Sequence, residues 1–182
     1  MLILAISGSL RAASSTSAIL RVAAHVAQPP AQVRVFDGMH TLPYFNPDLD
    51  RELDDPTLPS SVREMRAQIA DADALLFCTP EYAHGVPGVL KNALDWLVGG
   101  PEMVEKPVAV INVSPHATHA QASLAETLRT MSTRLLRDGP IALNLPSGSR
   151  DEHAFMHNDA LAHELRMLLA ALAAHVIETR TG

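Results

Sequence analysis

Apolar positions along the chain follow two alternating periods. LILAIS at 2–7, DALLFCT at 73–79 and PVAVINV at 107–113 are continuous apolar runs, the pattern of strands buried on both faces. QVRVFD at 32–37 alternates instead and reads as a strand near an edge, and PIALN at 140–144 reads as a short fifth strand. Between the strands the apolar spacing changes to that of a helix. Ile19, Leu20, Val22, Ala23 and Val26 predict a helix over 16–27, stopped by Pro29 and Pro30. Val62, Met65 and Ile69 predict a second over 60–70, with Ser60 or Ser61 as its cap. Pro87 is placed to open a third that runs to about 98, before Gly99, Gly100 and Pro101. Leu124, Leu128, Met131 and Leu135 predict a fourth over 120–137. Leu161, Leu165, Leu168, Leu169, Leu172 and Val176 predict a last helix over 154–177, buried despite its alanine-rich composition.

Strand and helix therefore alternate throughout, which implies an α/β fold: one parallel sheet covered on both faces, doubly wound by right-handed crossovers. No linker, repeat or low-complexity segment interrupts the pattern, so residues 1–182 are expected to form one domain. Ligands of such sheets bind outside the carboxyl ends of the strands, at the switch in strand order. Three loops leave those ends, at 8–16, 80–86 and 114–119. A fourth excursion, 38–59, carries Pro43, Pro47, Pro56 and Pro59 and an acidic run of Asp48, Asp50, Glu52, Asp54 and Asp55, expected to be a solvated face.

Composition narrows the function. With 182 residues, 47% of them hydrophobic and 19% charged, the chain is long enough and apolar enough for a full core. Its formal net charge is −6 and it has no basic tract, which argues against a sequence-independent grip on nucleic acid. Cys78 is the single cysteine, so an internal disulfide and a cysteine-built zinc site are both excluded. Its place in an apolar strand favours a buried, inert thiol. The short apolar run at the N-terminus lacks the basic flank and length of a secretory leader or a membrane span, and a cytoplasmic protein is expected. Nine histidines include His116 with His119 and His153 with His157, but neither pair has an evident third ligand, and no metal site is expected.

The first loop, SGSLRAASST at 7–16, joins a buried strand to a helix whose start offers free N–H groups and a partial positive charge. Ser9, Ser14, Ser15 and Thr16 add hydroxyl donors, and Arg11 adds a charge-assisted one. No lysine precedes a Ser/Thr as in a triphosphate-binding loop, and Gly8 stands alone where a dinucleotide fingerprint has three glycines. One terminal phosphate monoester suits this loop; an ordinary hydroxyl-rich helix cap is the plainer alternative. The second loop, Pro80, Glu81, Tyr82, Ala83, His84 and Gly85, is stiffened by proline, and its N–H groups suit the edge of a flat heteroaromatic ring. Glu81 has no visible carboxylate partner for acid–base work.

SGSLRAASST, LPYFNPDLD at 42–50 and TPEYAHGVPGVLKNALDWL at 79–97 together resemble the flavodoxin-fold NAD(P)H-dependent FMN reductase family, from residue 2 to about 137. The resemblance implies a flavodoxin-like five-stranded sheet of order 2-1-3-4-5. It implies FMN as cofactor and NADPH or NADH as hydride donor, with a small-molecule acceptor such as a quinone, an azo dye or a metal oxyanion. It places the FMN phosphate on Ser9, Arg11, Ser14 and Thr16, where Thr16 stands in for a common asparagine. The isoalloxazine falls on Pro80, Glu81, Tyr82, His84 and Gly85, with Ala83 replacing the usual asparagine. In the third loop Ser114 and Pro115 keep the family's Ser-Pro start, while His116, Ala117, Thr118 and His119 follow where glycines are usual and make the loop bulkier. The family commonly forms homodimers or homotetramers.

The implied mechanism needs no catalytic side chain, because the flavin carries the hydride chemistry. Of seven aromatic residues few are left to sandwich a ring, so one flavin face is expected to stay open for nicotinamide and acceptor in turn. A quinone or azo reductase, a flavodoxin-like electron carrier and a flavin-binding module are the alternatives.

Overall fold

A computed structural model describes residues 1–50, 57–114, 116–145 and 151–181, with the backbone alone at 180 and 181. Glu52, Asp54, Asp55, Pro56 and Pro115 of the readings above lie outside the described residues, as does most of the polar loop before the last helices. The strands β1 (Leu2–Ser7), β2 (Gln32–Val35), β3 (Ala74–Cys78) and β4 (Pro107–Asn112) form a parallel sheet of order β2-β1-β3-β4, continued by a fifth position beside β4. This is the flavodoxin-like order.

Alternation along the strands divides the core into two layers. Ile3, Ala5, Leu76, Cys78, Ala109 and Ile111 face one side, packed by α1 (Ser15–Val26), α5 (Glu152–Met156) and α6 (Asp159–Thr181). Leu4, Ile6, Leu75, Phe77, Val108 and Val110 face the other, packed by α2 (Ser60–Asp71), α3 (Gly88–Asp95) and α4 (Thr118–Thr130). α6 is long and apolar enough to cross a membrane by length and composition, but its leucines at 161, 165, 168, 169 and 172 are buried in the first layer. That packing accounts for its composition.

Several expectations are corrected. The helix expected over 120–137 ends at Thr130, because Ser132 turns into the left-handed region (φ 59°) and Ser132 and Thr133 N–H bond back to Arg129 and Leu128 carbonyls. The chain then pairs at once with the sheet as β5 (Arg134–Leu135), so Leu135 continues the helical spacing yet lies in a strand. The fifth strand is consequently split. β5 pairs with the start of β4 and β6 (Ile141–Ala142) with its end, both parallel; β3 occupies the other edge of β4, so the two segments share one position. The break between them holds Arg137 and Asp138 at φ 58° and 53°. Finally, the helix expected over 154–177 is two helices. Asp151 Oδ1 caps α5 by accepting Ala154 N–H at 2.8 Å, and Asn158 Oδ1 starts α6 by accepting Leu161 N–H at 2.8 Å. Pro87 also stands one residue earlier than expected, at the N-cap of α3.

The acidic excursion is anchored rather than merely solvated. Asn92 Nδ2 and Trp96 Nε1 both donate to Pro43 O at 2.9 Å, and Phe45 N–H donates to Asn92 Oδ1 at 2.8 Å. Trp96 is wholly buried and meets Phe45 edge-on at 5.0 Å. Asp50, expected at the surface, is instead a buried partner of Arg66 at 2.8 Å, and Arg66 also donates to Trp96 O and faces Glu102 at 3.7 Å. The reason is that Arg66, on the inner side of α2, needs a counter-charge once buried.

Candidate functional site

The first loop leaves β1 through Gly8, whose N–H donates to Cys78 O at 3.0 Å. A Cβ at Gly8 would lie 2.1 Å from Thr79 Oγ1, so the first and second loops approach as closely as backbone allows. The hydroxyls beyond it form a chain. Ser7 Oγ meets Ser17 Oγ at 2.8 Å and Thr16 Oγ1 at 3.3 Å, and Thr16 Oγ1 meets Ser14 Oγ at 2.7 Å. Ser9 N–H donates to Ser7 Oγ, and Arg11 N–H to Ser9 Oγ at 3.3 Å. Ser14 is the cap of α1, accepting Ser17 N–H. Ser9, Ser14 and Thr16 are buried, Ser15 is half-buried, and Arg11 is exposed. No acidic residue occupies the first turn of α1, and the N–H groups of Ser15 and Thr16 have no partner among the described residues. The positive end of this helix is therefore left without a protein anion.

The second loop ends in a tight turn. Tyr82 N–H donates to Gly85 O at 3.1 Å and Gly85 N–H to Tyr82 O at 3.0 Å, with Ala83 and His84 between them at φ 49° and 57°. Two successive positive φ values make this the mirror-image turn that usually takes asparagine and glycine. The turn uses the Tyr82 and Gly85 N–H groups internally, so of the N–H groups expected to meet a ring, those of Ala83 and His84 remain unbonded among the described residues. Glu81 points the other way in function: its Oε2 accepts Ala120 N–H at 2.8 Å. It thus caps α4, whose own N-cap, Ala117, has no side-chain acceptor.

The three loops converge on one cavity of about 330 Å³, lined by Ser15 and Thr16 from the first, Thr79, Pro80 and Glu81 from the second, and Ser114 and His116 from the third. Ser114 is held by its N–H donating to Asn112 Oδ1 at 3.0 Å. Ser9 and Arg11 line an adjoining cavity of about 280 Å³ with Asp37 and His40, and Ser14 lines a third with Arg21 and Glu152, an ion pair at 2.6 Å. Tyr82, Ala83 and His84 stand exposed at the rim, and Gly85 is half-buried. Phe36, Phe77, Trp96 and Phe155 are buried, Tyr44 and Phe45 are exposed on the 42–50 segment, and Tyr82 is the one Phe, Tyr or Trp of the three loops. A further cavity of about 370 Å³, between α6 and β6, lies away from these loops.

The profile of the family described as NADPH-dependent FMN reductase matches residues 1–145. The chain belongs to this family. It is 33% identical over 175 residues to an NAD(P)H-dependent FMN reductase of Pseudomonas aeruginosa, covering 93% of this chain and 92% of that one. It is 33% identical over 105 residues to a quinone reductase of Escherichia coli, covering 57% of this chain and 54% of that one. In structure it resembles FerB, a flavoenzyme NAD(P)H:(acceptor) oxidoreductase of Paracoccus denitrificans, with a TM-score of 0.71 at 26% identity and 98% of each chain covered.

The family uses FMN and NAD(P)H, and the loops fit the flavin. The acid-free helix start and its hydroxyls suit a phosphate monoester, and Gly8 lets the first loop lie tight against Thr79 and Leu90. Sequence reasoning missed the cap role of Glu81 and the ring contact between His84 and His119, which stack at 4.4 Å with planes 19° apart. Ala117 in place of a hydroxyl cap was the signal that α4 needs an acceptor from elsewhere. Cys78 is wholly buried, and burial pushes its thiol pKa far up, which fits an inert side chain.

Proposed function

We propose that this chain, as one flavin-binding domain, holds FMN with its phosphate on the first loop and its ring along the second and third, and reduces it with NADPH or NADH. The observation that carries the reading is the acid-free first turn of α1, which opens with Ser15 and Thr16 onto the cavity shared by all three loops. Ser9, Arg11, Ser14, Ser15 and Thr16 are the phosphate residues in this reading. Pro80, Glu81, Tyr82, Ala83, His84, Gly85 and Ser114 frame the ring.

FMN, when bound, accepts a hydride from a nicotinamide and passes electrons to an acceptor. The chain's own part is placement and electrostatics. The N–H groups of Ser15 and Thr16 balance phosphate charge, and those of Ala83 and His84 are available to the negative charge that reduction adds to the ring. Gly8 ties the first loop to the end of β3 through Cys78 O, and Glu81 fixes the second loop against α4. No side chain of the site is needed as acid or base in the hydride step. Tyr82 is the one Phe, Tyr or Trp that the three loops bring to the site, which supports a flavin face left open, as a two-substrate enzyme requires and a one-electron carrier does not.

The acceptor in this reading is a small planar molecule, and a quinone is favoured by the relatives that reduce quinones. The protein acts in the cytoplasm as a homodimer or homotetramer. Tyr44, 91% exposed between two residues pinned to Asn92, supports a further subunit contact on the α3 side. Anaerobic mixing of the FMN-loaded protein with NADPH and with NADH tests the reading. Bleaching of the flavin absorbance with at least one, followed by recovery on adding a quinone, is expected. A spectrum that neither nucleotide alters would contradict it.

A further inference from the structure

Ala83 and His84 adopt a left-handed backbone that L-residues rarely take, φ 49° and 57°, and such a conformation persists only where its surroundings impose it. The Tyr82–Gly85 hydrogen-bond pair closes the turn, and three consecutive residues at the start of α4 add to that constraint. His119 stacks its ring on His84 at 4.4 Å, with the planes 19° apart. Ala120 donates its N–H to Glu81 Oε2 at 2.8 Å. Gln121 Nε2 donates to Thr79 O at 3.3 Å, from a side chain that is itself buried. The two hydrogen bonds fix the base of the turn. Only the imidazole stack reaches its tip, where the unbonded N–H groups of Ala83 and His84 lie.

We propose that His119 is a positioning residue for the flavin, holding the Ala83–His84 tip in the left-handed form in which its N–H groups serve the ring. This inference rests on the flavin reading above.

The test is FMN titration of the full chain, followed by flavin fluorescence at pH 8, for the unsubstituted protein, His119→Ala, His119→Phe and His119→Ala with Ala83→Gly. His119 is exposed, so its two single variants should melt as the unsubstituted protein does. His119→Ala is expected to weaken FMN binding roughly tenfold. His119→Phe keeps a stacking ring, so it should retain affinity. The added Ala83→Gly should recover much of the loss, since glycine takes the left-handed form without strain. Normal FMN binding with an indifferent His119→Ala, or with His119→Phe as weak as His119→Ala, overturns this inference alone. An unsubstituted chain that binds no FMN overturns the flavin reading, and this inference with it.

Discussion

Glu81 Oε2 accepts the main-chain N–H of Ala120 at 2.8 Å, so a carboxylate from the loop after β3 caps the helix after β4. An acid in a candidate site is readily taken for a proton donor; here its geometry gives it a mechanical task. Removing the acceptor leaves an orphan donor at the start of α4 and frees the base of the ring loop. Glu81→Ala should cost about 1 kcal/mol of stability, seen in urea denaturation, and should weaken FMN binding. Glu81→Gln retains an acceptor oxygen and should lose less of both. Equal losses in the two variants would mean that charge, not the cap, is what matters at this position.

Gly8 lies where the first two loops meet. A side-chain carbon placed there would stand 2.1 Å from Thr79 Oγ1 and 2.6 Å from its Cβ. Rotation can move the hydroxyl, but Cβ is fixed by the backbone. Gly8→Ala should therefore cost about 1–3 kcal/mol, as overpacking does. The thermal midpoint should fall by several degrees and FMN affinity should drop with it. A variant as stable as the parent would show that the loops part easily.

Arg66 is buried together with Asp50 and Glu102, tying α2 to both the 42–50 segment and the turn after α3. Taking away the cation strands two carboxylates in the interior. Arg66→Ala is expected to destabilise by about 3–5 kcal/mol, measured from the urea midpoint, well beyond the effect of losing the exposed Lys91–Asp95 pair. Comparable midpoints for Arg66→Ala and Lys91→Ala would refute the buried-pair account.

The architecture was legible because buried parallel strands write continuous apolar runs, and residues 2–7, 73–79 and 107–113 do so plainly. The split fifth strand was not, since β5 and β6 have two residues each and Leu135 keeps the helical spacing of Leu124 and Leu128. Asp50 looked solvated because composition cannot reveal that Arg66 lies opposite it across the fold. The first loop stood out as a candidate phosphate site through its hydroxyls and its position between strand and helix. Glu81 and His119 were not, because each acts through a partner about 35–40 residues away, Ala120 and His84, and separations of that kind leave no local pattern.

Cys78 offers a check on the core beneath the site. Its thiol is wholly buried, and burial holds its pKa far above the ordinary thiol value, so the reactive thiolate is absent near neutrality. Iodoacetamide at pH 8 should leave the folded protein unmodified and add one carbamidomethyl group after denaturation, read by intact mass. Rapid labelling of the native chain would show that β3 opens readily beneath the ring loop.

If the first turn of α1 clasps a phosphate, the flavin must be held by its tail as well as its ring. Equilibrium binding of FMN set against that of riboflavin, which has the same ring and no phosphate, separates the two contributions. FMN should bind at least roughly tenfold more tightly, and Ser9→Ala with Arg11→Ala should erode the difference. Equal affinity for the two flavins would contradict the phosphate clasp.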